Sequence, residues 1–296
     1  MTNTKNIALM SDSSCDLTPR LCKFYNIDLV PFYISFDKQN YLKENVDISI
    51  SEFYQRMREN VIFPKTSLPA INDYYDKFIK HIHNGKDIIC VCLSSKFSGS
   101  YNAALTAKSI VLDEFPNARI EVIDSKSATG CQGVIVTEIA RMINAGLTLK
   151  EIIRISELIK TNSRIFFYVD SLDYLEKGGR IGKVAALLGS MLNIKPIIYL
   201  ADGELFPIGR VRGKRKASER VVELLCEFVA GNEDKYVYAI AHADAIAEVE
   251  YLASIIKEQT TIQLLDEYLQ IGVTIGSYTG PDTCGVCAVP AFEQFL

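Results

Sequence analysis

The chain has 296 residues, a formal net charge of −4 and a hydrophobic fraction of 48%. These values suit a globular protein with a sizeable core and exclude a disordered chain or one with a general attraction to nucleic acid. Eight cysteines are too few for a disulfide scaffold at this length, and no run of about 18 apolar residues would span a bilayer. The first apolar run, Ile7 to Met10, ends too soon for a signal-peptide core, so the sequence predicts a soluble, cytoplasmic protein.

In chain order, Ile7–Met10 reads as a strand and a helix begins near Leu17-Thr18-Pro19. Ile27–Phe36 reads as one or two extended segments, and Ile50–Arg58 and Asn72–His83 carry helical periodicity. Asp87–Leu93 is a buried strand, Tyr101–Asp113 a helix, Arg119–Ile123 a strand, and a further helix runs through Met142. Strand, polar turn and helix in repetition predict a parallel sheet with helices on its faces. After Gly146 come a helix at Leu149–Lys160, a strand at Ile165–Val169, a helical Ser171–Lys177, a glycine pair and a helical Ile181–Leu192. Ile197–Leu200 and Phe206–Val211 flank an Asp202-Gly203 turn and predict a hairpin. Ala217–Ala230 and Ala245–Lys257 read as helices, Tyr236–Ala241 as a strand and Ile271–Ile275 as the last strand. The second half therefore predicts an antiparallel sheet with helices on one face. The boundary falls near residue 163, giving domains 1–163 and 164–296.

Three strand ends share one chemistry. Met10-Ser11-Asp12-Ser13-Ser14, Leu93-Ser94-Ser95 and Asp124-Ser125-Lys126-Ser127 each pass from apolar residues through hydroxyls into a helix. Ligands of open α/β sheets bind outside the carboxyl ends of the strands, where helix N-termini favour anions. Helix capping accounts for one hydroxyl per loop. Ser94-Ser95-Lys96-Phe97-Ser98-Gly99-Ser100 offers four, with Gly99 allowing close approach, but lacks the ending of a phosphate-binding P-loop. Thr66 and Ser67 stand between Pro64 and Pro69, which restrict their backbone.

A serine nucleophile needs a base, and the chain has three histidines: His81, His83 and His242. No nucleophile-elbow motif is present either, so a Ser-dependent hydrolase or acyltransferase is the alternative and not the main reading. Cys284 and Cys287 form a CxxC with no second pair or nearby histidine to complete a metal site. Arg180 follows the Gly178-Gly179 turn, either facing solvent or facing a ligand anion. Arg210, Arg212, Lys214, Arg215 and Lys216 make the densest basic run, a solvated face or a docking site for an acidic partner.

In order, SDSSCDL, KTSLPA, LSSKFSGSYNAA, VIDSKSATGCQG, SLDYLEKGGRIG, MLNIKP, DGELFPIGRVRGKRKA and TGPDTCGV run the length of the chain. The chain carrying them resembles the DegV family of bacterial fatty-acid-binding proteins. That resemblance implies a two-domain α/β fold: an N-terminal Rossmann-like parallel sheet with helices, a C-terminal α+β domain, and a ligand tunnel between and within them. It implies a long-chain fatty acid whose carboxylate is held by Thr66 and Ser95, with Ser94, Ser98, Gly99 and Ser67 beside them. Arg180 would support the ligand or phosphoryl transfer, and Arg210, Arg212 and Lys216 would dock a partner. That partner, by the same resemblance, is a dihydroxyacetone-kinase-like fatty acid kinase that makes an acyl phosphate for phospholipid synthesis, with transient membrane contact. The chain itself would be a carrier and no enzyme, with no metal and no cofactor beyond the bound acid. Two positions depart from the family pattern: Tyr278 stands where a histidine is usual, and Asp282 where glycine is usual. Tyrosine donates a hydrogen bond but does not become a cation.

Overall fold

The computed structural model describes residues 6–59, 63–189 and 193–296. Its first half is built on a parallel sheet of β1 (Ile7–Asp12), β2 (Ile27–Val30), β6 (Asp87–Cys92) and β7 (Ile120–Asp124), in the order β2-β1-β6-β7. β1 and β6 are buried along nearly their whole length, as parallel strands covered on both faces must be. Helices α3 (Ile71–His83) and α4 (Ser100–Glu114) bury Tyr74, Phe78 and Val111 against one face. A second sheet, β3 (Tyr33–Ser35), β4 (Leu42–Lys43) and β5 (Lys65–Ser67), is small and antiparallel. The proline-flanked Thr66-Ser67 pair thus lies in a strand, with Thr66 opposite Ile34.

The second half forms a six-stranded sheet from β8 (Arg164–Tyr168), β9 (Ile194–Ala201), β10 (Glu204–Arg212), β11 (Tyr236–His242), β12 (Leu269–Gln270) and β13 (Cys284–Pro290). The order is β10-β9-β8-β13-β11-β12, antiparallel except for the β11–β12 pair. Helices α8 (Lys214–Val229) and α9 (Ile246–Gln259) cover one face around Val221, Leu225, Val249 and Leu252. The other face is not bare. α5 (Thr129–Asn144) packs on β11, β13 and β1 together, and α6 (Leu149–Thr161) reaches β13. α5 is buried on nearly every side, so one continuous core runs from the parallel sheet through α5 to the larger sheet.

The expected last strand, Ile271–Ile275, is corrected. Extended structure stops at Gln270, and α10 (Val273–Thr279) begins at once. The Thr274 N–H and Oγ1 donate to the Glu44 carboxylate at 2.9 and 2.7 Å, a helix-end partner supplied from 230 residues earlier in the chain. That tertiary bond outweighs the local strand preference of Val273, Thr274 and Ile275. The last strand is instead β13, which sits inside the sheet between β8 and β11. The expected helix at Ile181–Leu192 is a 3-10 helix at Gly182–Leu187, following α2 (Ile50–Glu59) and α7 (Asp173–Lys177) in chain order; residues 190–192 lie outside the described ones. Among the described residues no helix is long and apolar enough to cross a membrane.

Candidate ligand-binding site

From β1 the chain passes to β2 on one side and later reaches β6 on the other. A switch of direction like this opens a crevice at the carboxyl ends of the strands. Asp12 closes the back of the crevice: its carboxylate accepts from Leu93 N–H at 2.9 Å, Ser100 Oγ and Ser14 Oγ at 2.7 Å, and Gln132 Nε2 at 2.8 Å. Burial raises its pKa, and these four bonds oppose that rise. The Ser11–Ser14 loop is therefore a buried cross-link between strand ends.

In front of this knot lies a cavity of about 240 Å³. Its wall is mostly apolar. β8 contributes Ile165 and Phe167, β9 and β10 contribute Leu200 and Leu205, and β13 contributes Gly285 and Cys287. Alternation decides which side chains face it: Phe166 and Tyr168 point the other way, into the α8/α9 layer. By the same rule Cys284 and Cys287, three apart on a strand, lie on opposite faces, Cys284 among the α8/α9 contacts and Cys287 in the cavity wall. Among the described residues no His, Cys, Asp and Glu cluster is arranged to hold a metal.

Thr129, Thr274, Thr279 and Thr283 contribute hydroxyls to the wall, and a further set of polar residues includes groups that touch one another. Thr66, Ser67, Ser98, Gly99, Arg180 and Tyr278 all line the cavity. Thr66 Oγ1 and the Tyr278 hydroxyl are 2.6 Å apart and share a hydrogen bond. The Arg180 guanidinium lies 5.0 Å from the Tyr278 ring centroid and donates to the carbonyls of Phe97 at 3.2 Å and Gly178 at 2.8 Å. Arg180 is exposed while lining the cavity, and among the described residues it makes no ion pair, which leaves its charge available to a ligand anion. Two glycines permit this closeness. A Cβ on Gly178 would fall 2.3 Å from the Tyr278 ring, and one on Gly280, at φ +71°, would fall 2.3 Å from the Tyr174 ring.

Two expected hydroxyls face elsewhere. The backbone turns at Ser94, whose carbonyl accepts from Phe97 N–H at 2.9 Å and Ser98 N–H at 3.2 Å. The turn carries Ser95 to the outside, where its Oγ donates to Asp124 Oδ2 at 2.6 Å. Ser94 is buried and its Oγ donates to the Gly203 carbonyl at 3.0 Å, fastening the β9–β10 turn to this loop. Of the three, only Ser98 faces the cavity. Ser125 bonds within its own loop and lines nothing.

No histidine lines the cavity among the described residues. His242 is buried, its Nδ1 accepts from Ala245 N–H at 3.2 Å, and burial lowers its pKa. His81 lies 3.3 Å from Asp28, which that contact and Lys77 hold at about 2 against the cost of burial. His83 packs on Phe115. Arg210, Arg212 and Lys216 are exposed where β10 passes into α8, and none lines the cavity. Arg210 donates to the Leu188 carbonyl at 2.9 Å. Lys214, from the same run, turns back to Glu248 at 2.7 Å and Asp282 at 3.4 Å. Sequence reasoning did not anticipate the wall residues Thr279, Thr283 and Cys131; the alternation of Thr283, Gly285 and Cys287 after a Gly-Pro turn was the available signal for part of it.

The sequence profile of the DegV family, described as an uncharacterised protein family, matches residues 6–291. The chain is similar to a DegV domain-containing protein of Clostridium perfringens, at 32% identity over 95% of this chain and 97% of the other. It is also similar to a protein of Thermotoga maritima named fatty acid-binding protein, at 31% identity over 94% and 96% of the two chains. The crystal structure of a fatty acid (stearic acid)-binding protein from Eubacterium ventriosum superposes with a TM-score of 0.92, at 34% identity, covering 98% of this chain and 99% of that one. A full-length sequence match, the ordered motifs and a shared fold agree: the chain belongs to the DegV family.

Proposed function

We propose that this protein binds a long-chain fatty acid in the cavity, with the carboxylate beside Thr66, Ser98, Tyr278 and Arg180. One observation carries the reading: an apolar cavity in whose wall Thr66, Tyr278 and Arg180, the last free of ion pairs among the described residues, adjoin one another. Each buried methylene of a chain contributes about 0.8 kcal/mol, so the apolar wall supplies affinity. The hydroxyls and the guanidinium supply direction, since hydrogen bonds to a carboxylate are the stronger kind. Relatives and structural neighbours whose names state fatty acid binding support the same reading. Ser95 is replaced in this scheme by Ser98, because Asp124 already holds the Ser95 hydroxyl.

The protein acts as a carrier and performs no covalent step. A hydrolase using Ser98 would need a base, and the three histidines are engaged away from the cavity. Exposed Arg210, Arg212 and Lys216 offer a surface for a fatty acid kinase that receives the acid. Extraction of the purified protein with organic solvent followed by mass spectrometry tests the reading. A copurifying long-chain acid is the expected result; an empty protein that also ignores added fatty acids overturns it.

A further inference from the structure

The stretch that follows Tyr278 is fastened to α2 on its outer side. Arg58 stands near the end of α2, and Asp282 lies four positions after Tyr278, just beyond α10. Arg58 Nε donates to Asp244 Oδ2 at 2.6 Å and Nη2 donates to the Asp244 carbonyl at 2.9 Å. Its Nη2 and Nη1 also reach Asp282 Oδ1 and Oδ2 at 3.0 and 3.4 Å, a fork on a carboxylate. Lys214 approaches the same Asp282 oxygen at 3.4 Å and is shared with Glu248. The group thus holds two cations and three carboxylates. Asp282 is itself tied into the arch, its N–H donating to the Ala243 carbonyl at 2.8 Å while Ala243 N–H donates to the Thr283 carbonyl at 2.8 Å. Inside the arch, Tyr278, Thr279 and Thr283 face the cavity.

We infer that Arg58 is a positioning residue for the carboxylate site: by gripping Asp282 and Asp244 it holds in place the arch that carries Tyr278, Thr279 and Thr283 on the cavity wall and sets how readily a bound fatty acid escapes. The inference rests on the fatty-acid reading above. Its physical content is the exposure of the clasp. The side chains of Arg58, Asp244 and Asp282 are 40%, 41% and 25% accessible, so salt screens their attraction while leaving the Thr66–Tyr278 hydrogen bond untouched. The Arg58 guanidinium is made still harder to deprotonate by its bonds to Asp282 and Asp244. Burial opposes ionisation of Asp282, but the bond from Arg58 and the charge of Lys214 outweigh it and lower its pKa. Both partners therefore stay charged near neutrality, and ionic strength is the variable that loosens them.

The test is the dissociation rate of a fluorescent long-chain fatty acid from the full-length protein, followed in low salt and at about 0.5 M salt. Wild type should release the ligand several-fold faster in high salt. Arg58→Gln and Asp282→Asn should each release it about fivefold faster in low salt and show little further response to salt, with Arg58→Lys between them and wild type. A role in stability alone would shift the melting temperature without altering the salt response of release. Wild-type rates that ignore salt, or variants that keep the wild-type rate and salt response, overturn the clasp. A wild-type protein that binds no fatty acid removes the underlying reading as well, so the two failures are distinct.

Discussion

Three single substitutions in the hydroxyl groups separate geometry from composition: Thr66→Ala, Ser98→Ala and Ser95→Ala. A hydroxyl that donates to a buried carboxylate contributes about 2 kcal/mol, which is about 30-fold in affinity at about 1.4 kcal/mol per decade. Ser98 faces the cavity and, among the described residues, its hydroxyl accepts from Ser100 N–H at 3.2 Å and donates to none, leaving its proton for the ligand, so Ser98→Ala should lose close to that amount. Thr66 shares its hydrogen bond with Tyr278. Removing Thr66 leaves the tyrosine hydroxyl able to turn to the carboxylate, and the expected loss falls to about tenfold. Ser95 donates to Asp124 on the outside of the loop, and its substitution should change affinity by no more than about twofold. Calorimetric titration with a single long-chain acid, or displacement of a fluorescent analogue, reads all three. A loss in Ser95→Ala as large as that in Thr66→Ala would refute the assignment of the loop's inner and outer faces.

Further outcomes follow from packing and charge. Gly178→Ala brings a Cβ within 2.3 Å of the Tyr278 ring and 2.8 Å of the Tyr174 carbonyl; it should cost about 1–3 kcal/mol, read as a lower melting temperature together with weaker ligand binding. Asp16 is buried and, among the described residues, neither carboxylate oxygen meets a hydrogen-bond partner within normal geometry; burial, reinforced by nearby Glu44 and only partly opposed by Thr129 and Gly272, lifts its folded pKa well above the unfolded value of about 3.9. Protonation thus stabilises the fold fully below about pH 4, and this contribution is lost as pH rises through the folded pKa. Asp16→Asn, at a positive φ of 52° that asparagine accepts, should melt above wild type at pH 8 and together with it at pH 4; equal melting at both values would contradict the buried-acid reading. Of the eight free cysteines only Cys22 and Cys226 are partly accessible. A thiol reagent should label those two in the native protein, and rapid labelling of Cys284 or Cys287 would contradict the placement of β13.

Periodicity and turn chemistry were enough to read β1, β6, β7 and the helices beside them and the hairpin around Asp202-Gly203, because these are local properties of spacing, but not strands β4 and β5 of the small antiparallel sheet, which are only two and three residues long. They also brought forward the Ser94–Ser100 loop and the Thr66-Ser67 pair, where hydroxyls exceed what capping needs, and the Gly178-Gly179 turn before Arg180, while the choice of Thr66 and Ser95 for the carboxylate came from the family resemblance. Local signals misread Ile271–Ile275, where β-branched residues favour a strand and Glu44, 230 positions away, caps a helix instead. They gave no means of ranking Ser94, Ser95 and Ser98, whose directions depend on a turn closed at Ser94 and on Asp124 waiting across the sheet. The pairing of Tyr278 with Thr66 and of Asp282 with Arg58 spans 212 and 224 positions. Residue types and spacing determine which groups are available; which of them meet at one end of the cavity depends on how two sheets pack about α5, and that is a property of the folded chain alone.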